Sequence, residues 1–378
     1  MKKINHLLQL ITFTPIPFCL VSCTSYLNFS VNAPWDKNLD PSFFTEIVKE
    51  YNKLKNENEV TKKWKNENAN VSFIEENNDI AQNIIKGASD IGVMTSYLFN
   101  SSSHKKNLIP ILQTLTHAFK FDKFFSKYKN GLSNDPLVEI AKKAEEMFNR
   151  KKFSDWDKKE YEWDGSKYKY FYDEKSLVDF YRGLVMIRGN EKILKEIKKA
   201  WENKDWNTFR NFGIVTGKKT SGSKYILQQA LFKKHFNKEG NRFTSFEEDR
   251  LNHKDKYKEG RARDIGKGEL KNYHIMFDDL GSFAYTNNQK NNKKLDYYSP
   301  ENKEEKIEFL TVTEPLKYNV FVASKFLNEI KRKLLAKAIY NVWKNNLDSY
   351  GPRVGFNGYR IIQNPDLEVI KPYEDLGI

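Results

Sequence analysis

The residues best suited to chemistry form the run Thr216-Gly217-Lys218-Lys219-Thr220-Ser221-Gly222-Ser223-Lys224-Tyr225, between a strand-like and a helical stretch. A helix start carries amide N–H groups without intrahelical acceptors and the positive end of the helix dipole. The hydroxyls of Thr220, Ser221 and Ser223 add donors, Gly222 admits close backbone approach, and Tyr225 completes the run. Such a turn binds a phosphate or phosphonate. The same Ser and Thr residues also serve simply as helix caps. The Walker spacing is absent. Three shorter sets join this one. Thr95, Ser96 and Tyr97 follow the apolar Asp90–Met94. Asp278 and Asp279 follow Tyr273–Phe277, offering charge to a cationic group or a cap to the next helix. Trp35 follows the first strand, to stack on a ring or to fill core.

No catalytic residues are expected. There is no Ser-His-Asp order with a nucleophile elbow and no carboxylate pair beside a tuned general acid. The histidines (His6, His104, His117, His235, His253, His274) have no metal-ligand spacing, so neither a metal nor a cofactor is expected.

These residues need elements to hold them. Residues 26–32 alternate with period two, as a strand does. Asp40-Pro41-Ser42 opens a helix with Phe43, Phe44, Ile47, Val48, Tyr51 and Leu54 on one stripe. Val71–Ile74 predicts a strand, Asn78–Lys86 a helix, and Asp90–Met94 a strand after the stop signal Gly87. This is the rhythm of an α/β domain with a largely parallel sheet. Residues 120–175 depart from it. They hold a helix at Pro136–Arg150 and an aromatic stretch whose Asp164-Gly165 suggests a hairpin turn, and they read as an insertion. A second α/β rhythm follows: helix 190–203, strand 211–216, helix 223–236 and strand Tyr273–Phe277. Apolar runs flank it at Tyr181–Ile187 and Tyr318–Ala323. The latter leads into an amphipathic helix capped by Ser324, with Phe326, Leu327, Ile330, Leu334, Leu335, Ile339, Val342 and Trp343 on its stripe. Two crossings around an inserted domain describe a bilobed α/β protein with a two-strand hinge. Lobe I is expected over 23–185 and 318–378, and lobe II over 186–317. Ligands sit beyond the carboxyl ends of such strands, which gathers the loops after Asn32, Met94, Thr216 and Phe277 into one cleft.

The chain has 378 residues and opens with Lys2 and Lys3, an apolar run from Leu7 to Val21, and then Leu20-Val21-Ser22-Cys23. This reads as a secretory signal, too short and too Pro-broken (Pro15, Pro17) for a membrane span. The Leu-x-Ser-Cys ending resembles the lipobox of bacterial lipoproteins, in which Cys23 would be acylated and become the first mature residue. The alternative is an uncleaved anchor with an incidental Cys. The chain has only two cysteines, Cys19 and Cys23, so residues beyond 23 hold no disulfide, thiol nucleophile or Cys-based zinc site. The formal charge of +14 falls by two with the leader. An excess of this kind suits nucleic acid, an anionic membrane or an anionic ligand. Here the signs are well mixed, as in Lys55-Asn56-Glu57-Asn58-Glu59, and a solvated surface is the simpler reading.

In Gly87-x2-Asp90-Ile91-Gly92, Tyr181–Arg188, Lys219-Thr220-Ser221-Gly222-Ser223 and Thr313–Val322, taken in that order, the chain resembles the phosphonate-binding family of ABC-transporter solute receptors. That family has the type II periplasmic-binding fold. The lipobox, Trp35 and the Asn/Lys-rich composition place the resemblance within the mycoplasma extracytoplasmic lipoproteins that bind thiamine pyrophosphate. It spans most of residues 26–360 and is weak over 120–175 and 284–306. It implies a lipid-anchored receptor on the extracytoplasmic face of the cell membrane, which hands its ligand to permease and ATPase subunits. It assigns phosphate to Thr220–Ser223, ring stacking to Trp35 and Tyr97, and positive or amine groups to Asp278 or Asp279. Related receptors carry a Ser/Thr-rich run before the glycine, whereas Lys218 and Lys219 stand here, so thiamine and its phosphates both stay open. A phosphonate or organophosphate receptor, and a basic adhesin or nucleic-acid binder, are the alternatives. Nucleic acid is not the expected partner.

Overall fold

The computed structural model describes residues 25–100, 105–161, 168–287 and 296–378. Cys19, Cys23 and the Asp164-Gly165 turn lie outside them. Two mixed sheets organise the chain. In the first, β1 (Ser25–Asn32) buries Leu27, Phe29 and Val31 against α1 (Ser42–Glu57), whose buried stripe is the one its sequence spacing predicts. Asp40 starts α1 by accepting a hydrogen bond from the Ser42 amide at 2.9 Å. β2 (Glu67–Ile74) runs parallel to β1, in register from Ser25 opposite Glu67 to Asn32 opposite Ile74. After α2 (Asn77–Ile85), β3 (Ile91–Met94) adds to the other edge of β1. Gly92 makes that approach possible, because a Cβ there would lie 2.5 Å from the Ser30 carbonyl oxygen.

The longest strand, β4 (Leu108–Phe119), is not foreseen from sequence. Pro110 and the polar series Gln113, Thr114, Thr116 and His117 hide it. Pro110 is tolerated because it sits where the pairing register shifts. β5 (Tyr172–Val178) pairs with β4. β13 (Val320–Ser324) and β14 (Gly358–Ile361) complete the sheet in the order β14-β4-β13-β3-β1-β2. The helix after β13 begins later than expected. It spans Glu329–Lys344 (α6 below), and Asn328 caps it by accepting from the Ile330 and Lys331 amides. Ser324 ends the strand instead, and Phe326, expected on the apolar stripe, is 83% exposed.

The second sheet has the order β11-β7-β10-β8-β9. It is built from β7 (Gly183–Gly189), β8 (Ile214–Thr216), β9 (Tyr257–Glu259), β10 (Ile275–Asp279) and β11 (Lys306–Val312). α4 (Glu191–Glu202) follows β7, and α5 (Leu227–His235) follows a π-helical turn at Gly222–Ile226. The expected strand 211–216 shortens to three residues because residues 206–211 are helical and Gly213 turns the chain at φ +76°.

A short antiparallel pair joins the sheets: β6 (Phe180–Tyr181) against β12 (Leu316–Lys317). The single run foreseen at Tyr181–Ile187 is therefore two strands, parted at Arg182. Of the segment 120–175, expected as an insertion in lobe I, residues 121–172 pack on the second sheet. α3 (Pro136–Phe148), Phe153, Trp156 and Phe171 share a core with Leu184, Met186, Met276 and Phe309. Chain order placed the segment with β4, whereas burial of its aromatic face places it against lobe II.

Candidate functional site

The loop after β8 and the end of β10 meet at the start of the α5 helical segment. Ser221 caps the turn, its Oγ accepting from the Lys224 amide at 3.3 Å. The π turn closes with the Ile226 amide on the Ser221 carbonyl at 3.1 Å. Ser223 is buried and donates its hydroxyl to Asp279. The Lys224 ammonium lies 3.0 Å from Asp278 and 3.3 Å from Asp279. Burial raises the Asp278 pKa, with Lys224 opposing. Burial works against the Lys224 charge, but the two carboxylates outweigh it and raise its pKa. The acidic pair expected to answer a cationic ligand therefore already shares one ammonium and one hydroxyl. Thr220 is exposed at the lip of the turn.

Tyr181 of the hinge pair stands over this turn. A Cβ at Gly222 would lie 2.4 Å from its hydroxyl oxygen. Its ring lies 6.0 Å from that of Tyr318, and Tyr318 lies 6.1 Å from Phe356. Burial raises the pKa of both phenols, with the nearby Asp279 charge adding to each. Both therefore remain protonated donors.

On the lobe I side, Trp35 is 59% exposed. It rims a cavity of about 470 Å³ lined also by Asn32, Ala33, Pro34, Glu75, Asn319 and Phe356. Its amide donates to the Arg353 carbonyl at 3.2 Å. Its ring edge lies 2.9 Å from the Cβ position of Gly355, whose φ of +85° suits glycine, and the Tyr318 hydroxyl lies 3.6 Å from that same position. Arg353 grips Asp36 through Nε at 2.9 Å and Nη2 at 2.7 Å. This hydrogen bond holds the Asp36 carboxyl below its usual range. The continuous path Gly222, Tyr181, Tyr318, Gly355, Trp35 thus joins the two lobes.

The other expected residues lie closer to the hinge or in core. The Thr95 hydroxyl accepts from the Leu98 amide at 3.2 Å. Ser96 is buried and donates to the Lys317 carbonyl of the hinge. Tyr97 packs against a small cluster with Leu227, Leu316 and Tyr181. Tyr225 is in the lobe II core, edge-on to Phe246. Lys219 turns outward to Glu247, and both are largely exposed. Sequence reasoning did not single out Lys224, Tyr318 or Asn319, and it left the Gly351–Tyr359 loop with Arg353 open between bordering the cleft and turning the chain, without the pairing to Asp36. Lys224 had a signal in the two adjacent carboxylates at the end of β10, which need a counter-charge. The others depend on long-range packing. Among the described residues no cluster of His, Cys, Asp and Glu is placed to hold a metal. A larger cavity, about 610 Å³, opens on lobe II between Phe148–Ser154 and Tyr297–Ile307 and shares no residue with the cleft loops.

Residues 41–376 match the family described as the extracytoplasmic thiamine-binding lipoprotein, CypI. The chain belongs to this family. Among its relatives is the high affinity transport system protein p37 of Mesomycoplasma hyorhinis, 34% identical over 411 aligned positions covering 99% of each chain. The protein of the same name from Mycoplasma pneumoniae is 32% identical, covering 98% of each. The solved structure of Mycoplasma hyorhinis Mh-p37, described as a candidate thiamine pyrophosphate transporter, superposes with a TM-score of 0.82 at 35% identity. It covers 93% of this chain and 98% of that one. The chain thus shares the two-sheet α/β fold of that structure. The family is one of solute-binding transport proteins, not of enzymes. Among the described residues no helix is long and apolar enough to cross a membrane.

Proposed function

We propose that this chain is the lipid-anchored, extracytoplasmic receptor of an ABC importer, and that it binds thiamine or a thiamine phosphate between its lobes. The observation that carries the ligand reading is the path from the Gly222 helix start, through Tyr181 and Tyr318, to the indole of Trp35. One end offers amides to a phosphate, and the other offers an aromatic face to a cationic ring. Thr220, Ser221, Gly222 and Ser223 are the phosphate side of the proposal. Trp35 with Tyr97 is the ring side. Asp278 and Asp279 act with Lys224, tuning the charge of the site. Family membership supports the reading, as do the names of the p37 relatives. Anchorage is proposed through an acylated Cys23. Intact mass of the mature N-terminus tests it, and a retained Met1 would reject it.

Isothermal titration of residues 23–378 with thiamine and its mono- and diphosphate tests the ligand. No heat at millimolar ligand rejects it. Trp35→Ala should weaken every form by about 2- to 30-fold, the worth of one cation–aromatic contact. Ser221→Glu should weaken the phosphate forms more than thiamine itself, and equal losses would remove phosphate from that turn. One observation favours a second reading. The carboxylates are already served by Lys224, so the cleft does not require a cationic guest. An alkylphosphonate binding more tightly than any thiamine form would select it.

A further inference from the structure

The parallel strands of the first sheet carry the proposed cleft at their carboxyl ends, and their opposite ends gather a separate surface. β1 starts there at Ser25, opposite Glu67 at the start of β2. Residues 58–66 leave α1 on that edge, residues 86–90 lead into β3, and residues 105–107 into β4. Residues 325–328 leave β13 there, with the Lys325 amide bonded to the Asn107 carbonyl at 2.9 Å. The loops are strongly basic. Lys63, Lys65, Lys86, Lys106 and Lys325 are exposed, with no acidic partner among the described residues. The neighbouring acids are mostly engaged. Glu59 pairs with Lys62, and Glu67 receives Lys331 at 2.7 Å and Ser25 at 3.4 Å, leaving Glu57 as the exposed unpaired acid. Two large apolar side chains stand out of this basic surface, Phe326 at 83% and Val60 at 66% exposed.

We propose that this edge of lobe I is a membrane-docking face, whose occupant is an anionic phospholipid surface. The geometry rests on the reading of Cys23 as the lipid anchor. Only Thr24 separates Cys23 from β1, and two residues reach at most about 7 Å. An acylated Cys23 therefore holds the Ser25 edge about one screening length from the headgroups at physiological salt. At that distance lysines are drawn to anionic lipid, and an exposed phenylalanine partitions into the interface. The arrangement adds an electrostatic and apolar contact to the hold of the lipid anchor, and it fixes which end of lobe I faces the bilayer.

Residues 23–378 hold both sheets and every core described above, so the unacylated mature chain is a fair probe. Flotation with phosphatidylglycerol–phosphatidylcholine vesicles, against phosphatidylcholine alone, should show salt-sensitive binding to the anionic vesicles at millimolar lipid. The triple reversal Lys63→Glu, Lys65→Glu, Lys325→Glu should lower that partition about tenfold or more, and Phe326→Ser about threefold. Reversing Lys152, Lys303 and Lys306 on lobe II should change it little. Equal binding to neutral vesicles, an equal loss from the lobe II control, or no binding at millimolar lipid would each overturn the proposal. Intact mass of the cell-derived protein reports the state of Cys23 separately, so failure of the anchor reading and failure of the docking face are told apart.

Discussion

His235 shows how one side chain can tie the 121–172 segment to lobe II. It is fully buried, and its ring stacks on Trp201 with centroids 3.6 Å apart. Nε2 donates to the Trp201 carbonyl at 2.8 Å, which leaves Nδ1 to accept from the Tyr128 hydroxyl at 2.9 Å. The Trp201 indole in turn donates to the Gly131 carbonyl at 2.7 Å. Burial lowers the His235 pKa from 6.5 to about 4; Lys204 pushes the same way, while the Trp201 carbonyl and Asp135 oppose. The folded state thus keeps the ring neutral, while the unfolded chain takes up a proton below about pH 6.5. The stability held by the neutral ring is complete above pH 6.5 and falls as pH drops toward 4. The loss approaches about 3 kcal/mol. Urea denaturation between pH 7 and 4 checks this. His235→Gln should be less stable at pH 7 but show a shallower decline with acid, and an unchanged slope would remove His235 from the account.

At the scale of elements, the hinge depends on Arg182. Its side chain is inaccessible to solvent and Asp122 is nearly so. Nε donates to Asp122 at 2.9 Å, Nη1 to the Ser126 and Thr313 carbonyls at 3.0 Å each, and Nη2 to the Phe124 carbonyl at 2.9 Å. The guanidinium therefore staples the chain leaving β4 to both hinge segments. Arg182→Met strands the Asp122 carboxylate and should cost about 3–5 kcal/mol in urea denaturation. Adding Asp122→Leu should recover part of that loss, whereas a double variant no more stable than the single one would show that the backbone contacts dominate. The strands β7 and β13 were legible in the two apolar runs around 181–187 and 318–323, because those runs are local patterns, although the β6–β12 pair that joins the sheets lies just before β7 and β13. So were α1, β1 and the α2–Gly87–β3 passage. Arg182 was not, because nothing in Tyr-Arg-Gly says that its partners lie at 122–126 and 313. The same distance problem hid β4, whose burial comes from pairing with β13 and β14 and not from its own alternation. It also misplaced the 121–172 segment and moved the cap of α6 from Ser324 to Asn328. In the candidate site, the helix-start turn and Trp35 could be read from residue type. The commitment of Ser223, Lys224 and both aspartates to one another required the fold of β10 against the π turn.

For the whole molecule, a ligand that touches both lobes should act as a clamp. Binding to the folded state alone contributes RT ln(1 + [L]/Kd), about 2.7 kcal/mol at a hundredfold excess over Kd. In a chain of this size that corresponds to a Tm rise of a few degrees. Differential scanning calorimetry with thiamine diphosphate should show the rise, and Trp35→Ala combined with Ser221→Glu should largely abolish it. A shift that survives both changes would place the ligand elsewhere, the 610 Å³ cavity of lobe II being the first alternative. Reductant should leave the transition unmoved, because no cysteine follows Cys23.

β1 has a consequence for the transporter as a machine. Its eight residues run from the edge where the chain emerges to Asn32 beside Trp35, about 26 Å at roughly 3.3 Å per residue. If Cys23 is the lipid anchor, as proposed, the tether is only two residues long, and that strand would act as a post holding the proposed mouth well above the lipid. A permease collecting from that mouth would then have to rise to that height, or the receptor would have to topple onto its flank to deliver.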